Sequence, residues 1–136
     1  MQLIAYVNFN GNCKEAFTFY EQCLGGKIVA MFTHRDTPMA AHVGADWLDS
    51  IMHARLQVGD AVLMGSDSPP QYFQPAQGMY VSLMVEDPAE AERIFHALEE
   101  GGSVRMPIEE TFWAVRFGIV IDRFGTPWMI NCEKAA

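Results

Sequence analysis

Residues 110–131 read ETFWAVRFGIVIDRFGTPWMIN, and their periodicity decides the fold class. Trp113, Val115, Phe117, Ile119 and Ile121 alternate with Ala114, Arg116, Gly118, Val120 and Asp122. Period two over this length describes a strand buried on one side. Arg123, Phe124 and Gly125 form a turn, and Trp128, Met129 and Ile130 carry the chain back as a second strand. A hairpin so rich in large apolar groups belongs at the centre of a sheet. The arginine on its other face marks that face as something other than ordinary core.

Working outward, Leu3, Ala5, Val7 and Phe9 alternate with Gln2, Ile4, Tyr6 and Asn8, which predicts a first strand. Asn12 stands where a helix N-cap is needed, with Glu15 three residues on to complete a capping box. Ala16, Phe17, Tyr20, Cys23 and Leu24 follow at helical spacing, and Gly25-Gly26 closes the helix. Lys27 to Thr33 then reads as a strand. The pattern recurs. Met79, Val81, Leu83 and Val85 alternate, Asp87 and Pro88 start a helix, Ala91, Ile94, Phe95 and Leu98 form its apolar face, and Gly101-Gly102 ends it. One shift superimposes Asn12 on Asp87, Glu15 on Glu90 and Ala16 on Ala91, and the glycine pairs need one further residue. More strands follow each pair, at 51–58 and 61–66, then at 104–110, 114–122 and 126–133. Two matched caps and two matched glycine stops identify an internal duplication. Residues 1–136 are read as a single domain, with module one at 1–70 and module two at 71–136.

Composition narrows the function. Half of the 136 residues are apolar, and the net charge is −8. That charge argues against a nucleic-acid surface and against an anionic membrane as partner. No apolar run reaches the length of a membrane span, and the first residues lack a secretory signal's pattern. Cys13, Cys23 and Cys132 are odd in number and scattered, which suits a reducing cytoplasm. Two long connections, 34–50 and 65–78, are either binding loops or covers for a sheet edge or dimer contact.

The strings FNGNCKEAFTFY at 9–20, GSD at 65–67 and the opening stretch at 110–131 resemble the PhnB-like branch of the vicinal oxygen chelate superfamily. That superfamily includes glyoxalase I, bleomycin-resistance proteins and extradiol dioxygenases. The resemblance implies an α+β fold in which duplicated βαβββ modules form a curved mixed sheet around a cavity, in a homodimer. Some members of the branch carry the label demethylubiquinone methyltransferase; no glycine-rich strand–helix turn for a methyl donor's nucleoside occurs here, so that activity is not expected.

In metal-using members each module gives one ligand from its first strand and one from its last. Carried over, those places fall at Ala5, Leu63 or Met64, Tyr80 and Met129, and neither they nor their neighbours include His, Glu, Asp or Gln. No metal site and no cofactor are therefore expected. The resemblance also implies that the sheet face away from the helices lines the cavity. His53 and Arg55 would project into it from one strand and Arg116 from another, between aromatic walls drawn from Tyr80, Trp113, Phe117 and Trp128. Glu110 and Asp67 are the carboxylates near that region, and His53 is a base suited to neutral pH. The ligand-binding candidates are thus His53, Arg55, Tyr80, Glu110, Trp113 and Arg116, set against plain core or solvent roles for each.

Two function classes stand. One is a metal-independent binder of an anionic or aromatic metabolite. The other is a glyoxalase- or dioxygenase-like metalloenzyme using a divalent metal whose ligands have moved to His53, Glu110 or the loop residues His34 and His42. A partner-binding adaptor is a third class, with no distinct motif behind it.

Overall fold

In a computed structural model, which describes residues 1–135, the chain divides into two compact units, Met1–Pro75 and Ala76–Ala136. The first runs β1 (Ala5–Phe9), α1 (Cys13–Leu24), β2 (Lys27–Thr33), β3 (Ile51–Val58) and β4 (Ala61–Asp67), with short 3-10 turns at Pro38–His42 and Ala45–Trp47. The second runs β5 (Val81–Met84), α2 (Pro88–Glu99), β6 (Ser103–Glu109), β7 (Ala114–Ile121) and β8 (Pro127–Glu133). Strand orders are β1-β4-β3-β2 and β5-β8-β7-β6. In each sheet the first strand pairs parallel with the last, and the other pairs are antiparallel. Both units are therefore the same βαβββ module, and the fold is α+β as the repeated pattern predicts.

Each helix covers one face of its own sheet. Phe17 and Tyr20 of α1 are fully buried against Phe9 of β1, and in module two Phe95 and Leu98 of α2 and Trp128 and Ile130 of β8 are fully buried. The closest approaches are made at glycines. A Cβ on Gly65 of β4 would lie 2.8 Å from the Phe17 ring, and one on Gly118 of β7 would lie 2.7 Å from the Phe95 ring. The absence of a side chain lets a phenyl sit flat on the backbone of the sheet.

The duplicated glycine pairs divide their labour. Gly25 and Gly101 take the left-handed turn after each helix, with φ of 68° and 73°. Their followers begin the next strand hard against a neighbour: a Cβ on Gly26 would meet Gln57 O at 2.7 Å, and one on Gly102 would collide with Ile121 O.

The helix starts differ from expectation in one module. Asp87 caps α2 as predicted, accepting the Ala89 N–H at 3.2 Å. Asn12 does not cap α1 with its side chain. Asp67, at the end of β4, does that work: Oδ1 accepts the Cys13 N–H at 2.9 Å and Oδ2 accepts the Ile51 N–H at 2.8 Å. A carboxylate here also meets the positive end of the helix dipole. Asp67 is buried and fully engaged, so its role is structural rather than chemical. Its neighbour Cys13 is inert for a related reason, because burial, with the Asp67 charge second, pushes its thiol far above the ordinary range.

Asp67→Ala is expected to destabilise the protein by about 3 kcal/mol, since it strands two backbone donors in the interior. Asn12→Ala is expected to change stability by less than about 0.5 kcal/mol. Urea unfolding of the two variants measures the contrast; equal losses would return the cap to Asn12.

Candidate functional site

The face of each sheet opposite its helix is the one that carries the predicted site residues, so side-chain parity along the strands matters most. In module one, Ala54 pairs with Gly65 and Leu56 with Leu63, which places those four on the α1 side. His53 and Arg55 consequently stand on the open face, as expected. The register adds companions in two rows. Tyr6 lies beside Met64, Met64 beside Arg55, and Arg55 beside Ala30; Asn8 lies beside Ser66, and His53 beside Phe32.

Within this patch Tyr6 and His53 form a stacked pair, with ring centroids 5.8 Å apart and an interplanar angle of 27°. The Tyr6 hydroxyl and His53 Nδ1 are 3.2 Å apart, a hydrogen bond that links β1 to β3 across the intervening β4. Tyr6 and Phe32 are nearly half exposed, at 49% and 44%. Ser66 Oγ donates to Asn8 Oδ1 at 3.4 Å. Arg55 is half-buried, and no carboxylate among the described residues pairs with it. A guanidinium without a carboxylate partner, on the same open face as Tyr6, His53 and Phe32, can grip an anion in a bidentate way or stack on a flat ligand.

Module two departs from expectation at β7. Gly118 faces Phe95, and the register places Arg116 with Cys132, Gly118 with Ile130 and Val120 with Trp128. The residues at 116, 118 and 120 therefore face α2, and Arg116 does not project from the open face; a register shift between Ala114 and Arg116 ends this parity at Arg116. Its Nε donates to Glu92 Oε1 of α2 at 2.9 Å, and its Nη1 donates to the Val115 carbonyl at 2.7 Å. The physical reason is steric. A helix packs closely where side chains are small, so Gly118 marks the helix side, while the larger Phe117 and Ile119 fall opposite. Trp128 follows the same correction: it is wholly buried on the α2 side, with Nε1–H donating to Asp122 Oδ2 at 2.8 Å.

The open face of module two is instead Phe117, Ile119, Met129 and Asn131 with Ser82 and Met84 of β5. Trp113, just ahead of β7, is 43% exposed and makes edge-to-face contacts with Phe112 at 4.8 Å and Phe117 at 5.3 Å. Tyr80, just ahead of β5, is 46% exposed. Glu110 follows β6 on the surface, where Lys134 Nζ reaches its Oε2 at 3.4 Å. Asn131 Oδ1 is buried with no hydrogen-bond partner.

The predicted set thus separates by role. His53 and Arg55 share one patch, Trp113 and Tyr80 are exposed aromatics at strand entrances, Glu110 is a surface ion-pair member, and Arg116 belongs to a helix–sheet bridge. Sequence reasoning missed Tyr6, Phe32 and Asn131. For Tyr6 the signal was present, since alternation against Ala5, Val7 and Phe9 already placed it opposite the core.

The loop histidines are accounted for separately. His34 is buried and its Nδ1 lies 3.2 Å from both Ser50 O and Ser50 Oγ, which pins the start of the long connection. His42 is exposed. Among the described residues no group of three or more His, Cys, Asp or Glu gathers around a common point. No helix is long and apolar enough to cross a membrane.

Two βαβββ modules, each with its first and last strands parallel, define a class of small α+β proteins. Residues 3–130 match the Glyoxalase/Bleomycin resistance protein/Dioxygenase superfamily, and the chain belongs to it. Protein YjdN of Escherichia coli K12 is 33% identical, over 98% of this chain and 97% of its own. The crystal structure of protein PA1353 from Pseudomonas aeruginosa is 52% identical with a TM-score of 0.90, covering 99% of both chains. A Bacillus cereus protein described as a putative 3-demethylubiquinone-9 3-methyltransferase, PhnB protein, has a TM-score of 0.81 at 22% identity, over 97% of this chain and 99% of that one.

Arg116→Ala is expected to lower stability by less than about 1 kcal/mol, because the Arg116–Glu92 pair is partly solvated. It should leave binding at the open face of module one unchanged. A calorimetric titration in which the variant loses affinity there would reinstate Arg116 as a ligand residue.

Proposed function

We propose that this protein is a PhnB-like member of the superfamily that binds a small anionic or aromatic metabolite without a metal ion, on the open face of module one. The observation that carries this reading is Arg55, unpaired beside the stacked Tyr6–His53 couple. A guanidinium with no carboxylate partner is available to an anionic ligand even in a chain of net charge −8. The ligand's carboxylate or phosphate would sit on Arg55, and its flat apolar body on Tyr6, His53 and Phe32.

Metal independence rests on the donor set. The open-face residues at the paired first- and last-strand positions Tyr6–Met64 and Ser82–Met129 supply no imidazole or carboxylate. A phenol, two thioethers and a hydroxyl are a poor set for a hard or borderline divalent ion, which takes imidazole and carboxylate. The same reading makes the protein a cytoplasmic homodimer of single-domain chains. The competing reading, a metalloenzyme with relocated ligands, draws on Tyr6 and His53 as adjacent donors.

Thermal unfolding in the presence of benzoate, inorganic phosphate, zinc and manganese separates the readings. Benzoate is expected to raise Tm through linkage, and Arg55→Ala to weaken that binding about ten- to hundredfold. A rise with zinc or manganese that His53→Ala abolishes would install the metalloenzyme. Identical benzoate responses in wild type and Arg55→Ala would remove the open-face site.

A further inference from the structure

Resting on the reading that the ligand sits on the open face of module one, we propose that it is an aromatic acid carrying a second oxygen acceptor at the far end of its ring. Two bonds within that face decide this by using up acceptors. The Tyr6 hydroxyl and His53 Nδ1 lie 3.2 Å apart. A phenol O–H is a better donor than a neutral imidazole N–H, so Tyr6 donates, Nδ1 accepts, and the imidazole proton is left on Nε2. Protonation of the ring would keep Nε2–H in place. Ser66 Oγ donates to Asn8 Oδ1, which occupies the amide oxygen and leaves its N–H groups. Every nitrogen group still free on the face is then a donor: the Arg55 guanidinium, His53 Nε2–H and Asn8 Nδ2.

These donors are within reach of a ligand. Among the described residues no hydrogen bond or ion pair holds Arg55 or His53 Nε2, yet neither is closed off from water as the unpartnered atoms of Asn12, Trp47 and Asn131 are. Their spacing follows from the strand. His53 and Arg55 are two residues apart on β3 and share its open face, which separates them by about 7 Å. That is the scale of a benzene ring with a group at each end. With one carboxylate on Arg55, the far end of the ring meets His53 Nε2–H, where an oxygen is matched and an amine would set donor against donor. No Asp or Glu occupies the open-face positions 6, 8, 53, 55, 64 and 66, so a second carboxylate meets no like charge from them.

Calorimetric titration with four benzoates at mildly alkaline pH, alongside the imidazole nitrogen-15 shifts of His53, provides the test. Terephthalate is expected to bind about tenfold tighter than benzoate, 4-acetylbenzoate about threefold tighter, and 4-aminobenzoate no tighter. The acetyl probe adds an acceptor without a charge, so a gain for terephthalate alone reports charge and overturns the proposal. His53→Phe keeps a ring in place and should bring terephthalate down to the affinity of benzoate. The nitrogen-15 shifts should show the Nε2–H form, a readout that needs no variant to fold. The Nδ1–H form, 4-aminobenzoate binding tighter than 4-acetylbenzoate, or a terephthalate preference that survives His53→Phe overturns the proposal. Benzoate bound through Arg55 with no preference among the four overturns it while leaving the open-face site in place; no binding by any of the four overturns both.

Discussion

Module one hangs on a single carboxylate. Asp67 closes β4, and its two oxygens accept the first N–H of α1 and the first N–H of β3. Three chain segments far apart in sequence are therefore tied at one buried point. Both bonds are charge-assisted, and both donors would otherwise be unsatisfied in the interior. The tie fixes where α1 begins over the sheet, which fixes Phe17 over Gly65, which in turn decides that Ala54 and Leu56 face inward. His53 and Arg55 reach the open face as a consequence of that parity. Asp122 plays a comparable part in module two, gathering the N–H groups of Phe124 and Thr126 and the Trp128 indole around the β7–β8 turn.

Much of this was legible in the sequence because it is local. Strands from period two, helices from period 3.6, and stops from glycine pairs all depend on neighbours within a few residues. The duplication reinforced each reading by repeating it. What was not legible is non-local. Nothing near Asn12 announces that a carboxylate from β4 will displace it as the cap, so the capping-box pattern misled. Ala45–Trp47 and Pro38–His42 likewise take their 3-10 form inside a connection whose shape depends on the Arg35–Asp49 pair and on His34 bonding Ser50.

The misreading of β7 has a more general cause. Both faces of that strand are apolar, and alternation then shows that two faces exist without showing which one the helix covers. Size is a better guide than hydrophobicity in such a strand. The helix side carries Gly118 and Val120, because Phe95 must approach the backbone, while Phe117 and Ile119 sit where no helix presses. Arg116 is tolerated on the helix side because it lies towards the rim, where its guanidinium meets Glu92 while still partly in water. An arginine read from sequence as a cavity residue is thus a strut between sheet and helix.

The same parity bears on the ancestral chemistry of the superfamily. A ligand contributed by the first strand must leave the face opposite the helix. In module one that condition selects Tyr6 rather than Ala5, which shares the α1 side with Val7 and Gly65. The fold therefore still presents a side chain where a ligand would stand, but the side chain is a phenol engaged with His53. A phenol at that place offers a ring face where an imidazole or carboxylate would offer a lone pair to a metal ion, so a guest held there would be met by stacking, and by ion pairing with Arg55 on the same face.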